Sequence, residues 1–170
     1  MNKDELKISE EPLVSIVLCF YNEGRFLEEA IQSVFAQSYH HWELLLVDDG
    51  SDDESTDIAR SYVARYPDKV LYVDHAYHQN KGLGASRNAG IRRCRGTYVA
   101  FLNADDDWFS GKLQFQLNIF RRHPGVTVVM EASLSWNSWR GTKEPDVVVP
   151  IGVREGVYRA PQLMIGLCPL

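Results

Sequence analysis

The stretch Leu13-Val14-Ser15-Ile16-Val17-Leu18-Cys19-Phe20 is apolar at nearly every position. A strand with one solvated face alternates; a strand apolar at consecutive positions needs cover on both faces. Parallel strands in a helix-flanked sheet meet that demand. The pattern recurs: residues 42–47, 70–73, 97–102 and 126–130 read as four further buried strands. Helical periodicity lies between them. Over residues 25–37, Phe26, Leu27, Ala30, Ile31, Val34 and Phe35 share one face. Ser51 with Glu54 three residues on has the pattern of a capping box, and Pro67 stops the helix it would open. Residues 85–93 read as a third helix. Ser110 can cap a fourth, with Leu113, Phe115, Leu117, Ile119 and Phe120 inward and His123-Pro124-Gly125 as its end. This alternation predicts an α/β fold with a mostly parallel, doubly wound sheet and right-handed crossovers.

A chain of 170 residues suits one domain with a sizeable core. Its net charge of -5 argues against nucleic acid as a partner, which calls for a basic face. Cys19, Cys94 and Cys168 are odd in number and far apart, a pattern of free thiols in a reducing compartment. His40-His41 reads as surface loop. Residues 1–12 form a polar lead without signal-peptide character, and no apolar run reaches the length of a membrane span. The expected location is therefore cytoplasmic, with peripheral attachment at the inner face of the membrane as its only membrane role. Beyond residue 130 the pattern weakens into irregular structure or a short β excursion, with Trp136 and Trp139 among prolines and glycines.

Three of the predicted strands end in polar clusters: Tyr21-Asn22-Glu23, Asp48-Asp49-Gly50-Ser51 and Asn103-Ala104-Asp105-Asp106-Asp107. In a parallel sheet these ends share one edge, where open α/β folds bind ligands. Adjacent carboxylates repel unless a cation or strong donors offset the charge, and hard divalent metals take oxygen ligands. The alternative use of such residues is to cap the next helix. A nicotinamide-dependent dehydrogenase would need G-x-G-x-x-G after the first strand, where Cys19 to Gly24 stand instead. G-x-x-x-x-G-K-[ST], G-x-S-x-G and H-E-x-x-H are absent. A nucleotidyltransferase would show a glycine-rich basic loop after that strand, and none is present.

Several strings together resemble family 2 glycosyltransferases. They are Val14-Ser15-Ile16-Val17, Tyr21-Asn22-Glu23, the run from Ile31 to Tyr39, and Glu43 to Asp53 with its Val47-Asp48-Asp49-Gly50-Ser51 centre. Gly84-Ala85-Ser86-Arg87-Asn88-Ala89-Gly90-Ile91 and Gly96-Thr97-Tyr98-Val99-Ala100-Phe101-Leu102 follow in the same order. The resemblance covers about residues 13–130 and implies a Rossmann-like domain of the GT-A type. The implied activity is transfer of a sugar, with inversion, from a nucleotide diphosphate donor (UDP-, GDP- or dTDP-linked) to a glycan or lipid-linked acceptor. The implied setting is polysaccharide or surface glycan synthesis.

Site residues follow from the same resemblance. Cys19, Tyr21 and Glu23 match the stretch against base and ribose. Tyr21 flanks the base or is a core aromatic. Asp49 matches the carboxylate that accepts a hydrogen bond from the base, and Arg87 a cation near the diphosphate, with Lys81 as an assistant or a surface charge. Asn103 and Ala104 begin the stretch matching the D-x-D motif. Asp105 falls on its second carboxylate, the expected ligand of Mg²⁺ or Mn²⁺. Asn103 departs from the motif and brings no charge. Asp106 and Asp107 compensate or only orient the loop. The general base of an inverting transfer comes from the acceptor half, which is not matched here. Glu131, Glu144, Asp146 and Glu155 are the only later carboxylates. Residues 131–170 are thus expected to begin an acceptor region in a truncated chain. A non-catalytic nucleotide-sugar-binding module is the competing expectation.

Overall fold

The structure, a computed structural model, describes residues 11–137 and 145–150. The start of the polar lead, Trp139, Glu144, Glu155 and Cys168 lie outside the described residues. The elements run β1 (Val14–Phe20), α1 (Gly24–Phe35), β2 (Trp42–Asp48), α2 (Ser55–Arg65), β3 (Val70–Asp74), α3 (Leu83–Ile91), β4 (Tyr98–Asn103), α4 (Lys112–Arg122), β5 (Ser133–Ser135) and β6 (Val147–Val149). A 3-10 turn, Ala76–His78, lies between β3 and α3. The chain forms two compact units, Met1–Gln114 and Phe115–Leu170.

The first unit holds a four-stranded sheet of order β3-β2-β1-β4, parallel throughout. Every residue of β1 and β2 is buried, as their unbroken apolar runs require. Ile16, Leu18, Leu44 and Leu46 are fully buried, as are Leu27 and Ile31 of α1. Within this sheet β3 and β4 are the outer strands, and each is partly open: Leu71, Val99 and Phe101 are 45%, 40% and 45% exposed. The expectation that residues 97–102 form a fully buried strand therefore holds for the strand and fails for its burial: of these residues only Leu102 is buried.

Three other expectations are corrected. Residues 126–130 form no strand; a β-branched run needs a partner ladder, and Val128 and Met130 remain exposed. The short β excursion lies later, in the antiparallel pair β5–β6 of the second unit. Phe115 is exposed, whereas Leu113 and Leu117 are buried. Spacing explains this: residues four apart share a helical face, and a residue two positions on points about 200° away. The Ser51–Glu54 capping box does not form. α2 begins at Ser55, its N-cap Glu54 makes no side-chain cap, and the Ser51 hydroxyl accepts the Asn22 N–H across the loop instead.

At the edge where β1 and β4 begin, one carboxylate ties three strands' leads together. Glu43 accepts the Ser15 hydroxyl at 2.6 Å, the Arg95 N–H at 2.7 Å and the Arg95 guanidinium at 2.7 Å. Burial pushes its carboxyl up, but these bonds outweigh that and hold it below the usual carboxylate range. The Gly96 N–H donates to the Ser15 hydroxyl. This approach leaves no room for a side chain: a Cβ on Gly96 would lie 2.6 Å from Ser15 N and 2.7 Å from Leu13 O. Backbone atoms within a sheet cannot move aside cheaply. Gly96→Ala is expected to lower unfolding stability by about 1–3 kcal/mol, read by urea denaturation.

Candidate functional site

The register of the sheet brings the polar strand ends side by side. Phe20 pairs with Asp48 across β1 and β2, and Cys19 pairs with Asn103 across β1 and β4. Neighbouring strands lie about 4.8 Å apart, so three polar clusters line one continuous edge. All the site residues named from the sequence belong to the first unit.

The β2 end forms its floor. Asp48 is fully buried and shapes the turn: Oδ1 accepts the Ser51 N–H at 2.8 Å, and Oδ2 accepts the Thr56 and Tyr72 hydroxyls at 2.6 and 2.9 Å. Burial and that bond push the Tyr72 phenol up strongly. Asp49 faces the other way, towards the loop before α3. Its Oδ1 accepts the Lys81 N–H at 2.7 Å and the Ser86 hydroxyl at 2.9 Å, and its Oδ2 accepts the Gly82 N–H at 2.9 Å. His75 Nε2 lies 2.7 Å from the Ser86 oxygen and 3.4 Å from Asp49 Oδ1. A carboxylate has about four lone-pair positions, so Oδ2 keeps one for a further donor.

The β1 end is laced to this turn. Asn22 adopts φ 55°, a left-handed conformation that asparagine tolerates. Its N–H meets the Ser51 hydroxyl, and its Oδ1 accepts the Asp52 N–H. The N–H groups of Glu23 and Gly24 go to Ser55 and Asp53. Neighbouring Tyr21 is 48% exposed, which rules out the core alternative for this ring. Cys19 is buried, and burial pushes its thiol up to about 11, with Arg87 lowering it and Asp49 raising it. Those two charges thus act on the same atom from α3 and from the turn after β2.

The β4 end carries the acidic stretch. The Asn103 amide bridges unlike partners: Oδ1 accepts from Arg87 Nη2 at 3.0 Å, and Nδ2 donates to Asp106 Oδ2 at 2.8 Å. The Arg87 guanidinium also lies 5.6 Å over the Phe101 ring. Ala104 is buried; Asp105, Asp106 and Asp107 are exposed. The Glu23 carboxyl is held above the usual range, first by burial, then by the charge of Asp105, then by Asp53. Beyond the stretch, buried Gln37 fastens the chain, donating to the Phe109 carbonyl and accepting the Leu113 N–H.

Cys19, Tyr21, Glu23, Asp49, Asn103 and Asp105 therefore stand at the aligned strand ends with Arg87 bonded to them, and Ala104 is covered, whereas the later carboxylates Glu131 and Asp146 belong to the second unit. Lys81 is exposed, as the surface-charge alternative expects, and reaches Asp49 only through its backbone N–H. Sequence reasoning placed Asn22 and Ser51 in the strand-end clusters without a role of their own and missed His75, His78 and Ser86; the bonds Asn22–Ser51, His78–Ser51 and Ser86–Asp49 span 29, 27 and 37 residues. The only signal for the two histidines was their place in the loop after β3; Ser86, on α3, had none.

Oxygen donors and mutually repelling carboxylates at Glu23 and Asp105 suit a hard divalent cation. Among the described residues no group of three or more His, Cys, Asp or Glu is arranged to hold one. Asp105 and Glu23 are the carboxylates available to such a cation, at most two of the ligands it needs. No helix among the described residues is long and apolar enough to cross a membrane.

Comparison with known proteins places this architecture. An uncharacterized glycosyltransferase of Rickettsia prowazekii is 38% identical over 119 residues, 70% of this chain and 35% of the relative. The putative teichuronic acid biosynthesis glycosyltransferase TuaG of Bacillus subtilis is 39% identical over 107 residues, 63% of this chain and 41% of its own length. The chain thus spans well under half of these relatives. Among solved structures, the mannosyltransferase PcManGT from Pyrobaculum calidifontis, in complex with GDP-Man and Mn²⁺, superposes with a TM-score of 0.54 at 25% identity, over 59% of this chain and 29% of that one. S. aureus TarS in complex with UDP superposes with a TM-score of 0.59 at 22% identity, over 69% and 38%, a likeness of fold. Residues 15–161 match Glycosyl transferase family 2. With a parallel α/β sheet, polar strand ends on one edge and relatives of this kind, the chain belongs to the family 2 glycosyltransferases.

Proposed function

We propose that this chain binds the sugar donor of an inverting glycosyltransferase acting in polysaccharide or surface glycan synthesis. The carrying observation is the alignment of three polar strand ends with a guanidinium set among them. A nucleotide diphosphate sugar presents a planar base, a ribose and a dianionic diphosphate, and this edge offers a counterpart to each. Tyr21 is open for stacking on the base, and Asp49 keeps an acceptor position for its ring N–H. Cys19 and Glu23 line the path of the ribose. Arg87 supplies the cation for the diphosphate. Asn103 holds that cation by a neutral oxygen, so the guanidinium is oriented without being neutralised.

Asp105 is the residue that would hold Mg²⁺ or Mn²⁺, with Glu23 near enough to feel its charge. The cation, when bound, neutralises charge collecting on the departing nucleoside diphosphate. PcManGT, a structure with Mn²⁺ and GDP-Man, supports this reading. The acceptor hydroxyl must lose its proton to a base in line with the leaving group, and no residue of this edge is assigned that task. A glycan or lipid-linked acceptor and a place at the cytoplasmic side belong to the same proposal. The charge-free Asn103, where the motif has a carboxylate, favours one rival: a module that binds sugar nucleotides without transfer.

Calorimetric titration with UDP, GDP and dTDP, with and without Mn²⁺, tests the reading; one nucleotide is expected to bind, more tightly with metal. Binding of none would sink both readings. Hydrolysis of the matching sugar nucleotide separates enzyme from module. Asp105→Ala is expected to remove the metal-dependent gain while leaving the metal-free affinity in place; a persistent gain refutes the ligand assignment. Asn103→Asp would pair with Arg87 and repel Asp106. It is expected to weaken metal-free binding roughly threefold, the scale of an exposed ion pair.

A further inference from the structure

Two loops meet beside Asp49, and one histidine joins them. His78 closes the 3-10 turn between β3 and α3. Its Nε2 lies 2.7 Å from the Ser51 carbonyl oxygen in the β2–α2 turn. Its Nδ1 lies 2.9 Å from Asp74 Oδ2 at the end of β3. Both partners are acceptors: a carbonyl oxygen has only lone pairs to offer, and so has an ionised carboxylate. Both ring nitrogens can donate at once only in the imidazolium. The geometry therefore specifies a charge state.

The backbone around it needs such fastening. Tyr77 and His78 adopt φ 60° and 51°, a left-handed conformation that ordinary side chains disfavour. The segment then lies flat on the β2–α2 turn. Gly50, at φ +82°, is its bed: a Cβ there would stand 2.7 Å from both His78 O and Asn80 N. Immediately beyond, the Lys81 and Gly82 N–H groups reach Asp49. The histidine bonds and the aspartate bonds thus clamp one short stretch at both ends.

We propose that imidazolium His78 is a positioning residue for the donor nucleotide, bolting the β2–α2 turn to the loop that wraps Asp49. This rests on the donor-binding reading. When the ring loses a proton, one nitrogen turns a lone pair towards an acceptor and that bond becomes a repulsion. The loop is released at one end, and the fraction of molecules with the Asp49 wall assembled falls. Apparent donor affinity falls with that fraction.

The groups acting on this ring are the Ser51 carbonyl and Asp74, with Asp48 adding its charge from β2 and burial working weakly against them. Together they hold the imidazole above its ordinary value of about 6.5. The sign follows: the bolt is complete below that ordinary value and is lost as pH rises through the raised one. Donor affinity should fall over the same window.

UDP-GlcNAc and GDP-mannose are suitable probes, because their phosphates lack the monoester proton that titrates near pH ~6. Calorimetry with Mn²⁺ from about pH 6 to 8 should show wild-type affinity for the bound donor falling about five- to tenfold. His78→Gln should bind weakly at the low end and lose most of this slope. Histidine ring NMR on the wild-type chain, with Mg²⁺ replacing the paramagnetic ion, gives a reading that does not depend on the variant folding. By linkage, donor saturation must raise the His78 titration point. An unchanged slope in His78→Gln, or a titration point that the donor does not move, overturns the role of His78. If neither probe binds the wild-type chain at any pH, and UDP, GDP and dTDP do not bind either, the donor-binding reading itself fails and this inference with it; if one of those nucleotides binds, its sugar derivative replaces the probes.

Discussion

Two carboxylates buried at the end of a strand must be satisfied, and the satisfaction of Asp48 and Asp49 organises this half of the protein. Taking an ion out of water costs several kcal/mol unless donors replace the lost hydration. Asp48 draws its donors from the turn, α2 and β3; Asp49 draws its own from the β3–α3 loop and α3. Elements distant in sequence are thereby held to one point. The Asn22, Glu23 and Gly24 amides then fasten to the hydroxyls and carboxylate that follow in the same turn. The candidate site is built outward from this hub rather than from any single loop.

The sheet was legible because burial leaves a pattern. β1 and β2 are apolar at consecutive positions, and only a strand covered on both faces calls for that. The same rule failed at residues 126–130, where an apolar β-branched run found no partner strand. It overstated burial at Val99 and Phe101, since apolar character does not say whether a strand is central or outer. Phe115 failed for a simpler reason: an aromatic in an amphipathic helix was counted as inward although its spacing from Leu113 and Leu117 turns it away. At Ser51, local pattern lost to a longer-range competitor, the Asn22 amide.

The site was legible in part, through charge at strand ends and through the resemblance that gave Asp49, Arg87 and Asp105 their places. What could not be read was how those residues are supported. The partners of Asn22, His78 and Ser86 lie 29, 27 and 37 residues away, and no local pattern encodes such a contact. Asn103 is the instructive case. As a motif position it reads as a lost carboxylate. In three dimensions its amide accepts from a cation and donates to an anion, a task that aspartate cannot perform.

Helix α3 contributes two adjacent residues with opposite duties. Ser86 is buried and bonded to Asp49; Arg87 turns outward to Asn103. Successive helical residues point about 100° apart, so one rigid rod serves both ends of the edge. Gly90, whose missing Cβ would stand 2.6 Å from Val17, presses that rod close against β1. Because Ser86 and Arg87 ride on one helix seated against β1, the spacing between the hydroxyl beside the Asp49 carboxylate and the guanidinium beside Asn103 is set by the helix itself and not by either loop.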